Sequence, residues 1–182
     1  AVTIYISIKQ FKSAEDLIDK IKNTNLLIQL ARMKENEKLY KDAEAAYERA
    51  GEWEQVIRLN LQYLNNIDKA KDIVLNKHKT ESAALLVAEY FENMGRKKET
   101  IEFKLIAKRF DEAFALAQTF NEMDAYANYI SKYIFSKDEF KKIAIYFEGK
   151  NMFGKAGIYY QKAGMIEKAL EMFIKSNEDE YL

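Results

Sequence analysis

His78 is the only histidine in the chain, and its imidazole is the side chain whose chemistry could most readily support catalysis. It stands between two lysines in the stretch 76–80, Asn-Lys-His-Lys-Thr, which is typical of an exposed loop. A Ser-His-Asp triad would have to use this imidazole. A transition-metal site would need carboxylates around it, because the chain has no cysteine and no second histidine. Nothing in its neighbours favours burial, so the sequence predicts a plain loop histidine, with no catalytic, metal or cofactor site.

Glycines and carboxylates could also do chemistry, but their spacing here matches no site. Gly149, Gly154, Gly157 and Gly164 fit neither a P-loop nor a dinucleotide-binding fingerprint. Acids stand side by side, as at 111–112, and so point in different directions on a helix, whereas a catalytic pair must face one cleft. We therefore expect that the protein is not an enzyme.

Composition argues against further classes of function. The 182 residues include 29 basic and 29 acidic side chains, whereas nucleic-acid binders usually carry a basic excess. No apolar run approaches the roughly 20 residues of a membrane helix. Proline, the strongest helix breaker, is absent, and only six glycines occur. The sequence therefore predicts an all-α protein that neither binds nucleic acid nor inserts into a membrane.

A short phrase recurs along the chain and predicts how its helices begin. It is a large apolar residue followed three positions later by a small one, which places both on one helix face. The large residue should open a helix, and the small one should let a neighbouring helix approach closely. The copies are Phe11/Ala14, Tyr40/Ala43, Ile67/Ala70, Phe110/Ala113, Phe153/Ala156 and Ile166/Ala169, with Trp53/Val56 as a looser copy.

A longer unit contains this phrase. Two copies of it are present, Ala43, Tyr47, Ala50, Gly51 and Trp53 in the first, and Ala156, Tyr160, Ala163, Gly164 and Ile166 in the second. Its glycine stands where the end of a helix needs a left-handed backbone. Each unit therefore predicts a helix, a tight turn and a second helix. We expect Tyr47, Ala50 and Trp53 to be largely buried where adjacent helices meet.

The first eleven residues fit two patterns. β-Branched residues alternate with others over 2–8, which favours a strand. Ala1, Tyr5, Ile8 and Phe11 nevertheless repeat the spacing of the longer unit, and we predict a helix there. With the 3.6-residue period and the Gly and Asn breaks, the whole chain is predicted to form helices at 1–9, 12–22, 24–35, 39–50, 53–63, 66–76, 80–94, 97–107, 110–119, 123–135, 138–148, 152–163 and 166–174.

Short links between these helices force successive helices to run antiparallel. The fold predicted for residues 1–182 is therefore one segment of a right-handed α-solenoid of antiparallel helix pairs, with tetratricopeptide-like repeats, cut from a longer array. The chain holds 12 Tyr, 11 Phe and one Trp, most at core spacings. A few of these aromatic residues could face a partner, and the sequence does not single out which.

Several stretches, in their order and spacing, resemble the C-terminal helical-repeat region of the large WD-repeat subunits of intraflagellar transport complex A. They are 39–53, 56–60, 64–70, 111–117, 123–127 and 143–149, with thinner support from 83–91. The resemblance covers nearly the whole chain. The resemblance depends on the order of these segments, because each segment alone is common among helical-repeat proteins.

This resemblance implies a non-enzymatic scaffold in a protein that also carries two N-terminal WD-repeat propellers and a cysteine-rich zinc-binding end outside this segment. The implied partners are the other complex A subunits and, indirectly, the dynein motor and ciliary membrane cargo. The implied roles are retrograde ciliary transport and entry of membrane proteins into the cilium. The implied locations are the cilium or flagellum, the basal body and the cytoplasm. No catalytic, cofactor-binding or metal-binding residue is carried over.

Two alternatives keep the solenoid but change the partner. One is a coat-type or intraflagellar complex B subunit in vesicle traffic, which shares the propeller-and-solenoid plan. The other is a peptide-binding tetratricopeptide adaptor, which needs basic residues and Asn facing one groove at repeat spacing. No convincing set is visible. The repeat spacings also look irregular, because the interval from Ala43 to Ala156 is far longer than that from Ala1 to Ala43.

Overall fold

The computed structural model describes residues 1–21 and 23–179. Within them the chain forms thirteen α-helices and no strand. Two of the helices pass directly into a π-helical turn, Ile73–Lys77 after α6 and Ile130–Ile134 after α10. The helices are α1 (Val2–Ser7), α2 (Phe11–Ile21), α3 (Thr24–Asn36), α4 (Tyr40–Ala50), α5 (Trp53–Gln62), α6 (Ile67–Asp72), α7 (Glu81–Asn93), α8 (Lys97–Ile106), α9 (Phe110–Phe120), α10 (Met123–Tyr129), α11 (Lys137–Gly149), α12 (Phe153–Lys162) and α13 (Ile166–Asp179).

The all-α prediction is confirmed, and so is the helical interpretation of the N-terminal residues. Val2 and Ile6 are buried on one side of α1, so the β-branched alternation over 2–8 serves a helix. Tertiary packing outweighs the strand preference of these residues. The predicted second helix extended to Lys22, which lies outside the described residues.

Most links between helices share one geometry. In the described parts of the chain, nine helices start two residues after a residue with a left-handed backbone: Lys9, Lys38, Gly51, Asn65, Gly95, Lys108, Asn121, Asn151 and Gly164. At Gly51 the N–H of the next residue, Glu52, donates to the carbonyl of Tyr47 at 3.0 Å. This bond closes the preceding helix in the Schellman manner and turns the chain within two residues.

The start of every fourth helix is stabilised differently. Asn23, Thr80 and Ser136 each accept a hydrogen bond, through a side-chain oxygen, from the backbone N–H three residues later. Such caps satisfy one of the free donors at a helix start. They introduce α3, α7 and α11, and they follow one another at an almost constant interval along the chain. Asn66 caps α6 in the same way, next to the left-handed Asn65.

These links define a four-helix period. The helices α2, α6 and α10 begin at residues 11, 67 and 123, and α4, α8 and α12 begin at 40, 97 and 153. Both series advance by nearly the same step. The interpretation of the repeat spacing as irregular is wrong, because the interval between Ala43 on α4 and Ala156 on α12 comprises two such periods. Lys and Asn replace Gly in most of the left-handed links, and this conceals the period in the sequence.

The chain divides into two compact units, Ala1–Arg109 and residues 110 onward. In the first unit α3 packs on α4 and α7 on α8, around a core rich in alanine. In the second unit α12 lies between α11 and α13. There the largest fully buried side chains are those of Tyr126, Ile130 and Tyr160.

Candidate functional site

The six pairs of the recurring phrase occupy distinct places in the structure. Each large residue is the first residue of its helix. Phe11, Tyr40, Ile67, Phe110 and Phe153 are half-buried, and Ile166 is 54% exposed. Their small partners are all buried: Ala14, Ala43, Ala70, Ala113, Ala156 and Ala169. The small residue is thus the core position, because it allows close helix packing, and the large residue lies at the rim.

The residues of the longer unit differ in how deeply they are buried. Tyr47 and Tyr160 are 2% and 0% exposed, but Ala50, Ala163 and Trp53 are half-buried. Trp53 packs against the edge of the core of the first unit. The ammonium of Lys77 lies 5.5 Å from the centre of the Trp53 ring, so one face of the indole is covered by a cation rather than by the core.

The glycines of the longer unit have the backbone that their position requires. Gly51 has a φ of 77° and Gly164 a φ of 81°. Both conformations belong to the left-handed region, where a residue without Cβ has no steric cost. Each glycine ends one helix and allows the next to begin two residues later.

A tyrosine–glutamate bond recurs at the longer unit, and the sequence analysis missed it. The Tyr47 hydroxyl donates to Glu35 at 3.2 Å, and the Tyr160 hydroxyl donates to Glu148. In each case an acid near the end of one helix bonds a tyrosine on the next helix. Burial and then the neighbouring carboxylate raise the pKa of both phenols. The signal in the sequence was a Glu that stands 12 residues before the Tyr of each copy of the longer unit.

The first unit also carries ion pairs between helices. Lys69 lies 2.7 Å from Glu44 and 3.2 Å from Glu48, and Asn60 donates to Glu44 at 2.6 Å. Burial lowers the pKa of Lys69, but its bonds to the two carboxylates outweigh that effect and raise it. Such partly buried pairs orient neighbouring helices and leave no charge free for chemistry.

His78 lies at the end of the first π-helical turn and is half-buried. Its backbone N–H donates to the carbonyl of Ile73 at 2.7 Å, which closes that turn. Among residues 1–21 and 23–179 no three His, Cys, Asp or Glu side chains are grouped so that they could hold a metal ion. In the same residues, no helix has the length and apolar character needed to cross a membrane.

Two open grooves lie at equivalent places in the first unit. One, of about 400 Å³, lies between α1 and α3 and is lined by Thr3, Ile6, Ser7, Gln29, Arg32, Met33 and Asn36. The other, of about 200 Å³, lies between α5 and α7 and is lined by Arg58, Leu61, Gln62, Leu86, Glu89, Tyr90 and Asn93. Asn36 and Asn93 occupy the same position in successive periods. Amide side chains beside apolar ones suit a peptide or helix better than a small substrate.

Comparison with known proteins gives the family. The model for the TPR domain of the intraflagellar transport proteins 140 and 172 matches residues 5–182. The chain belongs to this family. The tetratricopeptide-like character predicted from the recurring phrase is thereby confirmed, since the matched domain is of the TPR type.

Individual proteins are also similar to the chain over most of its length. Human WD repeat-containing protein 19 is 35% identical over 181 residues, which are 98% of this chain and 13% of that protein. The mouse protein of the same name gives the same identity and coverage. WD repeat-containing protein dyf-2 of Caenorhabditis elegans is 30% identical over 133 residues, 73% of this chain and 10% of that protein. The TPR domain thus spans 13% of the length of the first two relatives.

The second unit of the TPR domain exposes aromatic side chains at one place. Tyr133 is 59% exposed and Phe135 is 71% exposed, on either side of the last residue of the second π-helical turn. The Tyr129 ring packs on Tyr133 with 4.7 Å between ring centres. Aromatic residues so exposed are unusual in a helix-packing role, and the sequence analysis had not singled them out.

Proposed function

We propose that the chain is a non-enzymatic protein-interaction segment of an intraflagellar transport complex A subunit. The observation that carries this proposal is the family match over residues 5–182, together with 35% identity to WD repeat-containing protein 19 over 98% of the chain. A helical-repeat array acts by displaying side chains to other proteins, and the repeat positions here serve the fold that displays them.

In this proposal residues 1–182 are one tetratricopeptide-like segment, and its two compact units are successive parts of one array. The buried alanines and the left-handed glycines maintain the helix packing, while the exposed side chains between them are available to partners. The recurrence of a groove at α1–α3 and at α5–α7 supports a surface built to hold elongated protein segments.

The direct partners we propose are the other complex A subunits. Through them the segment would contribute to retrograde transport with dynein and to the ciliary entry of membrane proteins. Its proposed locations are the cilium or flagellum, the basal body and the cytoplasm. We further propose that it catalyses no reaction: its surface holds ion pairs and grooves of mixed polarity, and His78 closes a turn with its backbone.

The test is affinity purification of the tagged full-length parent protein from ciliated cells, followed by mass spectrometry. Recovery of the other complex A subunits at similar stoichiometry supports the proposal. Recovery of coat, complex B or chaperone subunits in their place would keep the helical repeat but remove the complex A assignment. Asn36→Glu and Asn93→Glu, in the grooves, should lower subunit recovery, whereas Lys41→Glu, outside the grooves, should not.

The proposed lack of catalysis is tested separately. Purified protein should show no hydrolysis of ester, peptide or nucleotide substrates that disappears in His78→Ala. An activity that depends on the His78 imidazole would contradict the proposal.

A further inference from the structure

The second π-helical turn and the residues that flank it carry three aromatic side chains, two of which are largely exposed. We define this group as the aromatic tip: Tyr129, Tyr133 and Phe135. Phe135 has the highest exposed fraction, 71%, among the large apolar residues of the described chain. Its neighbour Tyr133 is 59% exposed, so both rings face solvent.

The backbone at Phe135 is unfavourable for an aromatic residue. Its φ and ψ are 51° and 38°, the left-handed region. In residues other than glycine the Cβ is crowded in this conformation, and Asn or Gly usually occupies it. The side chain does not offset this steric cost through burial, since it is exposed. A residue that strains the backbone and does not pack in the core indicates a role other than stabilising the fold.

The equivalent turn in the first unit serves as an internal reference. It ends at Lys77 and His78, and His78 has a φ of −132°, so no left-handed residue is needed. Its surface is polar: Asn76 donates to Asp72 at 2.7 Å, and the only large apolar side chain exposed there is Leu75 at 40%. A π-helical turn in this repeat therefore does not require exposed aromatic residues.

The charge around the aromatic tip indicates what would cover it. Residues 125–137 contain no acid, and their two charged residues are Lys132 and Lys137, both exposed. The Lys132 ammonium lies 5.0 Å from the centre of the Tyr133 ring. Lys162 joins them, because it donates to Ser131 at 2.9 Å. Of the nearest acids in the sequence, Asp124 is paired with Lys155 and Glu139 with Lys142, which leaves the exposed Asp138 beside these lysines. The aromatic tip is thus an apolar projection next to an excess of basic side chains.

We infer that the aromatic tip inserts into an apolar socket rimmed by Asp or Glu side chains on a sister subunit of the same complex. Exposed aromatic residues are the side chains most enriched at the energetic centre of protein interfaces. The three lysines select an acidic rim and speed encounter with it. This inference rests on the proposed scaffold function and names one of its contact surfaces.

An anionic membrane surface is the competing occupant, and the charge at the tip argues against it. Juxtamembrane sites that bind anionic lipid usually cluster about four to eight basic residues. Only three lysines, Lys132, Lys137 and Lys162, are associated with the aromatic tip. A protein socket needs only a few complementary charges around well-packed aromatic side chains.

The decisive variant is Phe135→Gly in the full-length parent protein, co-purified with its sister subunits. Glycine suits the left-handed backbone, so the melting temperature of the isolated chain should stay equal or rise. Retention of the contacting sister subunit should fall by about tenfold or more, as for an interface hot spot. Phe135→Asn, which also tolerates this backbone, should behave likewise. Leu75→Ser, at the equivalent turn of the first unit, is the control and should retain the subunit fully.

A photo-crosslinking benzoylphenylalanine placed at residue 135 identifies what covers the tip. We expect a crosslink to an apolar segment of one sister subunit with Asp or Glu nearby, and none from the same probe at residue 75. Crosslinks to lipid in vesicles containing phosphatidylserine, without a subunit crosslink, would overturn the inference in favour of a membrane. If wild-type protein recovers the sister subunits but Phe135→Gly binds them equally well, the inference fails and the scaffold function stands. If wild-type protein recovers no sister subunit, the proposed function itself fails.

Discussion

The stretch from α6 to α8 in the first unit and the stretch from α10 to α12 in the second follow one backbone plan. Each contains a π-helical turn, a side-chain cap, a long helix and a left-handed link. Both also keep an aromatic pair between the last two helices. Phe91 lies 5.6 Å from Phe103, and Phe147 lies 5.8 Å from Tyr159, between ring centres. The two pairs occupy equivalent positions, one period apart.

The same two stretches differ where α6 or α10 meets the start of the next helix. In the first unit the residues at these positions are Ala70 and Ala83, both buried. In the second unit the equivalent residues are Tyr126 and Glu139, which are also buried and are joined by a hydrogen bond from the phenol to the carboxylate. Lys142 contacts the other oxygen of Glu139 at 2.9 Å.

The caps, left-handed links and aromatic pairs therefore determine the helix arrangement. The residues between them can change from apolar to polar. Two buried alanines and a hydrogen-bonded Tyr–Glu pair occupy equivalent positions because the larger pair satisfies its own polar atoms. The second unit thus combines a polar buried contact with an apolar exposed tip. The first unit combines apolar buried residues with a mostly polar exposed turn.

The largest expected effect tests the aromatic pair that both stretches share. Phe91→Ala and Phe147→Ala should each lower the free energy of unfolding by about 3–5 kcal/mol, because both rings are almost fully buried and leave a cavity. Urea denaturation of the isolated chain measures this. Tyr133→Ala, at an exposed ring, is the control and should change stability by less than about 0.5 kcal/mol. A loss below about 1 kcal/mol at either phenylalanine would break the equivalence of the two aromatic pairs.

The buried polar contact should be sensitive to loss of one hydroxyl. Tyr126→Phe removes the donor to Glu139 and leaves a buried carboxylate oxygen unsatisfied, so it should cost about 1–3 kcal/mol. Burial and the Glu139 carboxylate raise the pKa of Tyr126 above its ordinary value. A phenol of raised pKa stabilises the fold below the unfolded pKa, about 10, and this stability is lost at higher pH.

Unfolding measured from about pH 8 to about pH 11 checks both parts of that prediction. Wild-type stability should fall more steeply above about pH 10 than that of Tyr126→Phe. Tyr133→Phe, which removes an exposed hydroxyl, should follow the wild-type curve. If the curves of the wild type and Tyr126→Phe run parallel, protonation of the Tyr126 phenol does not contribute to the free energy of unfolding.

Close packing distinguishes α12 from α8. Ile101 is buried on α8, but the equivalent residue on α12 is Gly157, and a Cβ there would lie 2.6 Å from the Phe173 ring of α13. Gly157→Ala should therefore cost about 1–3 kcal/mol, because the ring must move. Gly149→Ala is the matched control. A Cβ at residue 149 meets nothing within 4 Å, and alanine should be neutral or stabilising there. Equal stability of the two variants in urea would show that Phe173 moves at little cost.

Much of the fold could be predicted from the sequence because its strongest signals are local. The large–small phrase placed the start of seven helices, and Gly51 and Gly164 indicated left-handed links. The remaining links were hidden because Lys and Asn occupy the same backbone there. Schellman hydrogen bonds and helix packing impose that conformation against a preference of only about 1–2 kcal/mol.

The candidate site was less predictable for two physical reasons. An acid such as Glu139 is expected at the surface, and its contacts with Tyr126 and Lys142 explain its burial. An aromatic residue such as Phe135 is expected in the core, and only the backbone of the second π-helical turn turns it outward. Pairing across helices and side-chain direction both depend on contacts distant in sequence, which a local pattern does not carry.

The smallest effect concerns a left-handed link that differs among periods. Lys38, Gly95 and Asn151 occupy the same position, with φ of 61°, 69° and 57°. Lys38→Gly should stabilise the chain by about 0.5–1 kcal/mol, because removing Cβ relieves steric cost in the left-handed region. Lys141→Gly, at an exposed position inside α11, should instead destabilise by a similar amount, since glycine weakens a helix interior. Opposite signs in urea denaturation would establish that backbone geometry at the link, rather than the lysine charge, determines the effect. If both variants changed the free energy of unfolding in the same direction, the three links would share a backbone shape but differ in energy.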